Sequence, residues 1–138
     1  MKNLKDLFVS YEIALQLKES GFNEDSLGFY NTDKHFFFAH KGNCLGADEY
    51  SKNNEIPKDY GIFTAPMYAQ VIDWLREEKG IQVFVDYFYY DGFHYNYKWV
   101  KSNGEYGQDW KDNGEECKGW DTPHGALTCG IEEVLKLI

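Results

Sequence analysis

The chain has little of what oxidising and membrane environments demand. Its 138 residues include only three cysteines, Cys44, Cys117 and Cys129, and no two of them form a CxxC pair. An odd count with no tight pair argues against a disulfide framework and points to a reducing compartment. No apolar run approaches the roughly 20 residues that a membrane helix needs. The opening MKNLKDLFVSYEIALQLK lacks both a continuous apolar core and a small-residue cleavage site, so it does not read as a secretory signal. Basic residues are also short, 14 Lys+Arg against 23 Asp+Glu, for a net charge of −9. A general nucleic-acid binder needs basic density to displace counterions, and an anionic membrane surface would repel this chain. The expectation is a cytoplasmic protein that binds neither nucleic acid nor membrane. Its charge serves solubility or faces a basic protein partner.

Catalytic and metal signatures are missing too. There is no GxSxG, HExxH or phosphate-binding glycine loop. His35 and His40 lie five apart on an expected strand, which points them to opposite faces. His40 and Cys44 make only a loose pair, and zinc wants three or four ligands. Asp109, Lys111, Asn113 and Gly114 fall at positions 1, 3, 5 and 6 of an EF-hand frame, but Lys111 has the wrong charge and Trp120 stands where the bidentate glutamate belongs. Cys117 and His124 have no third group to orient them. No catalytic residue, metal or cofactor is expected.

Aromatic residues are what the chain has in excess, 18% of the total with Tyr 11 and Phe 10. Nine of its 25 aromatics fall in Ile81–Lys101, IQVFVDYFYY-DG-FHYNYKWVK. Asp91-Gly92 is a two-residue turn signal, because both positions of that turn want φ > 0. The first strand carries apolar residues on both faces and is expected to be central. The return strand alternates, so one of its faces should meet solvent.

Three amphipathic helices accompany this hairpin. Ser10 caps the first, Gly21 follows its end, and Ile13, Ala14 and Leu17 form its apolar side. The second has Thr64 as cap and Pro66 in its first turn, with Tyr68, Val71, Ile72 and Leu75 at i, i+3, i+4 and i+7. The third starts at Asp121 or Thr122 and buries Leu127, Ile131, Val134, Leu135 and Ile138. Gly125 and Gly130 cost that helix about 1 kcal/mol each relative to Ala, so close packing is expected at them. A short hairpin is expected from Leu27–Tyr30 and His35–His40, its second strand covered on both sides by the run Phe36-Phe37-Phe38. Residues 41–63 read as a long loop, of the kind that often carries function. The order α-β-β-α-β-β-α predicts one α+β domain over residues 1–138, two-layered, with three helices on an antiparallel sheet of about four strands.

The segments SYEIALQLKESGF, APMYAQVIDWLREEKGI and GIEEVLKLI occur in that order. They resemble the opening helix, the APxYQQxxDW-type helix and the GIEEALKLI-type ending of a family of small, functionally unassigned proteins from Bacteroidetes phages and prophages. The likeness covers the three helices, while the loops and the acidic stretch depart from the family's pattern. It implies a phage or mobile-element origin and transfers no activity and no site residue.

Two surfaces are candidates for binding. From Ser102 to Gly125 six acids (Glu105, Asp109, Asp112, Glu115, Glu116 and Asp121) face only Lys111 and Lys118, a local net of −4. Asp109, Trp110, Asp112, Glu115, Glu116 and Trp120 there combine charge for steering with tryptophans for anchoring, the make-up of an interaction loop. The plainer alternative is a solvated loop whose tryptophans pack inward. The second surface is the aromatic sheet face, where Tyr95, Tyr97 and Trp99 would stack a nucleotide or sugar and His94, Asn96 and Lys98 would supply polar handles. Its plainer alternative is a face covered by helices. Phe84, Phe88 and Tyr90 on the opposite face suggest a homodimer. The expectation is a non-catalytic accessory binding protein of phage type with a protein partner, an acidic inhibitor of a host complex. The runner-up is a small-ligand binder.

Overall fold

The structure, a computed structural model, describes residues 3–38, 51–89, 93–108 and 120–138. The chain forms two compact units, residues 1–71 and 72–138. The class is α+β: the described residues form three α-helices and two three-stranded antiparallel sheets.

In the first unit, helix α1 (Tyr11–Glu19) starts where Ser10 Oγ accepts from the Ile13 N–H at 3.3 Å. It ends in a Schellman motif. Phe22 N–H reaches the Leu17 carbonyl at 2.9 Å and Gly21 N–H reaches that of Lys18 at 3.2 Å. Gly21 sits at φ 91°, where a side chain would be strained. Ile13, Ala14, Leu17 and Phe22 are buried, as the helical spacing predicts.

Strand β1 (Gly28–Asn31) is the centre of the first sheet, between β2 (Phe36–Phe38) and β3 (Ile62–Ala65). The β1–β2 turn is tied by Asn31 Oδ1, which accepts from the N–H groups of Asp33 and His35, each at 3.0 Å. A Cβ at Gly28 would lie 2.7 Å from both the Ala65 carbonyl and the Phe8 ring, so only glycine admits that approach. Phe8 packs on Phe36 and Phe38, and Phe37 stacks on Phe29. The aromatic run therefore has partners on both faces, yet among the described residues β2 pairs only with β1, and Phe38 stays 37% exposed rather than covered.

Strand β3 corrects the sequence reading in two ways. Part of the expected 41–63 loop is strand, and Thr64 is no helix cap. Thr64 pairs with Phe29, is buried, and its N–H donates to Asn53 Oδ1 at 3.0 Å. Ile-Phe-Thr-Ala is a short apolar run next to a proline, and a Thr-x-Pro pattern there imitates a helix start. Helix α2 (Tyr68–Lys79) begins only after Met67, whose N–H donates to Gln70 Oε1 at 3.0 Å. Residues 41–50 of the same loop, and residues 39–40 at the end of the expected strand His35–His40, lie outside the described residues.

In the second unit α2 gives way at Gly80, φ 63°, to β4 (Ile81–Tyr89). Strand β5 (Phe93–Lys101) returns antiparallel in an unbroken register from Ile81↔Lys101 to Tyr89↔Phe93. That ladder leaves three residues between the strands, not the expected two. The odd register sets Val83 beside Trp99, Val85 beside Tyr97 and Tyr87 beside Tyr95. A two-residue turn would have placed Val85 opposite Lys98 and Tyr87 opposite Asn96, so the observed register keeps apolar and aromatic side chains together.

Strand β6 (Tyr106–Gln108) pairs with the other edge of β5. The order β4-β5-β6 makes β5 central and puts β4 at the edge among the described residues, the reverse of the expectation. Three-stranded sheets in place of one sheet of about four strands follow from β3 and β6, both too short to declare themselves. Helix α3 (Pro123–Leu135) packs on β4 and β5. Thr122 Oγ1 caps it by accepting from the Gly125 N–H at 3.0 Å. Ile131, Val134 and Leu135 are buried as expected, but the helix stops at Leu135 and leaves Ile138 42% exposed.

Candidate functional site

The described flanks of the acidic stretch pair with strand β5. On the edge of β5 away from β4, Lys98 pairs with Gln108, the last residue of β6. Further along, Tyr95 and Trp120 form an isolated antiparallel bridge with both hydrogen bonds made: Tyr95 N–H to the Trp120 carbonyl at 2.9 Å, and Trp120 N–H to the Tyr95 carbonyl at 2.8 Å. The chain between Gln108 and Trp120 thus departs from and returns to one edge of one strand, about 10 Å apart. Asp109, Trp110, Asp112, Glu115 and Glu116 fall in this interval and lie outside the described residues. Of the expected interaction loop only Trp120 is described, half-buried.

The flanks of the interval are acidic as well. Glu105 and Asp121 are exposed. Lys101 Nζ hydrogen-bonds Glu105 at 2.9 Å, and this bond with its charge holds the Glu105 carboxyl below its ordinary range.

The residues expected to bind a small ligand divide between the two faces of the sheet. Tyr95, Tyr97 and Trp99 point to the side that carries α3, and Asn96 and Lys98 to the opposite side. A Cβ added at Gly130 of α3 would meet the Tyr97 Cβ at 2.9 Å and Val83 Cγ1 at 3.2 Å, so the helix backbone lies directly on this face. Trp99 is 5% exposed, with its indole across Gly107 of β6, where a Cβ would come within 2.6 Å of the ring nitrogen. The Trp99 Nε1 and the Asn96 Oδ1 are both buried without a hydrogen-bond partner among the described residues. His94 belongs to β5, but its side chain is outside the described residues. The five whose side chains are described do not converge on one pocket.

What stays open on the helix side is the hairpin's far end. Tyr87 is 57% exposed and its ring lies 4.9 Å from that of Tyr95. On the opposite side Phe84 is 41% exposed and lines a groove of about 360 Å³ with Gln82, Val100, Arg76 and Lys101. Both cations at this groove are engaged, Arg76 with Asp73 at 2.7 Å and Lys101 with Glu105. Sequence reasoning missed the Tyr95–Trp120 bridge; the same stretch reads as allowing an extra strand around Trp110, and the structure has one just before it, β6. A glycine between Tyr106 and Gln108, able to accept a tryptophan across it, was the available signal.

Among the described residues no three His, Cys, Asp or Glu side chains are grouped to hold a metal ion. No described helix is long and apolar enough to cross a membrane. Cys129 is a half-buried thiol on α3, while Cys44 and Cys117 lie outside the described residues. Comparison with known protein families, curated proteins and solved structures yields no match.

Proposed function

We propose that this chain is a non-catalytic binding protein of phage or prophage type. In this reading the acidic segment engages a basic surface on a host protein and inhibits the complex to which that protein belongs. One observation carries it: both ends of the acidic interval are fastened to the same edge of β5, at Gln108 and at Trp120. Tethering both ends lowers the entropy lost when a loop orders on a partner. The net charge of −9 adds long-range attraction toward basic partners.

The test is capture from host lysate with the wild type and with the quadruple variant D109N/D112N/E115Q/E116Q. The reading expects one stoichiometric protein on the wild type and none on the variant. Equal capture by both would dismiss the acidic segment as the contact.

A nucleotide or sugar binder is the second reading, favoured by the exposed Tyr87 ring packed beside the half-buried Tyr95. A ligand of the native state raises the melting temperature by mass action. Unchanged melting across a nucleotide and sugar panel counts against it.

A further inference from the structure

Strand β4 has the properties of an edge made to be paired. It runs nine residues, Ile81–Tyr89, and among the described residues no strand hydrogen-bonds its outer side. Natural edges of that length are blunted by proline, lysine, a bulge or brevity. Here the ladder to β5 is unbroken, so no bulge turns the edge away. The strand contains no proline, glycine, lysine or arginine, and Asp86 is its one charge. Phe84 and Tyr87 leave apolar surface exposed beside it.

We propose that the outer edge of β4 pairs antiparallel, about a two-fold axis, with β4 of a second copy, joining two three-stranded sheets into one of six strands. The strand is complementary to itself. Pairing centred on Val85 sets Val83 beside Tyr87 of the second copy and Ile81 beside Tyr89. The apolar residues of the helix-bearing face therefore meet their own kind. Asp86 falls beside Phe84 of the second copy, so the two carboxylates are not directly opposed, which is the arrangement antiparallel pairs tolerate. Charge argues for the same strip. On a chain of net −9, two copies repel over most of their surfaces, and β4 offers a contact with a single acid per copy.

The acidic interval hangs on the opposite edge of the sheet, beyond β5. The dimer contact lies on the other edge from the pairings at Gln108 and Trp120, so it stands or falls independently of the proposed function. The ionic signatures differ as well. Salt screens repulsion between copies and strengthens the dimer, but it weakens acidic steering toward a basic partner.

Analytical ultracentrifugation of the full chain is the test, with the double variant F84K/Y87K and the control Tyr106→Lys. All three positions are exposed, so the substitutions spare the core, and unchanged circular dichroism confirms folding. The expected result is a wild-type species of twice 16.1 kDa, favoured by salt, lost in F84K/Y87K and kept in Tyr106→Lys. A monomeric wild type at every salt concentration overturns the proposal. So does a dimer that survives F84K/Y87K, or one lost equally in the control.

Discussion

Tyr30 shows how a single buried polar group can serve two purposes. Its ring packs against Tyr11 and Phe36, and its hydroxyl donates to the Val9 carbonyl at 3.0 Å. Burial raises its pKa above the ordinary 10.0, with the neighbouring Tyr68 and Glu12 adding to the effect. The neutral phenol is the form the fold favours. Its contribution is therefore complete below the unfolded value and is lost as pH rises through the raised folded one. Replacing Tyr30 with Phe keeps the ring and removes the donor. Urea unfolding at neutral pH should show a loss of about 1 kcal/mol, the net worth of one hydrogen bond. The variant should also lose less stability than the wild type on going to strongly alkaline pH. An unchanged alkaline profile would show that this phenol is not the titrating group. Carboxylates behave in the opposite sense. Glu12, lowered first by its own backbone N–H and then by Lys34, contributes above the ordinary carboxylate range and ceases to as acid protonates it. Both members of that pair are exposed, so the effect is small.

At the scale of elements, local chemistry was legible and long-range pairing was not. Ser10, Gly21, Gly80, Thr122 and Pro123 announce helix ends through backbone demands that act within a turn. The structure realises each of them. The position of β5 as the central strand depends on β6, three residues contributed from beyond the Ser102-Asn103-Gly104 turn, and no local pattern predicts which strand such a short piece will join. Likewise β3 was hidden because four residues, three of them apolar, cannot be assigned to strand or helix by periodicity alone. The acidic candidate site was visible as composition, but its tether is a bridge between residues 95 and 120, which spacing does not encode. Gly130 is the case where a doubtful residue becomes intelligible. In an isolated helix, Gly130→Ala should gain about 1 kcal/mol from propensity. Here the added Cβ would sit 2.9 Å from Tyr97 Cβ and 3.2 Å from Val83, and overpacking typically costs about 1–3 kcal/mol. The variant should be less stable than the wild type in thermal or urea unfolding. A gain in stability would mean that α3 does not lie against β5 as described.

At the scale of the whole molecule, charge and sheet edges divide the work. The acidic interval is fastened on one edge of the second sheet, and the other edge carries almost no charge. Steering by a net charge of −9 speeds encounter more than it strengthens the final contact, so its trace belongs in the association rate and in the dependence on salt. The most direct test of the central claim is the association rate of the captured host protein with the wild type and with D109N/D112N/E115Q/E116Q across a range of ionic strength. The account predicts a wild-type rate that falls by about tenfold or more from low to high salt, and a slower, nearly salt-independent rate for the variant. Identical rates with the same salt dependence in both proteins would contradict it.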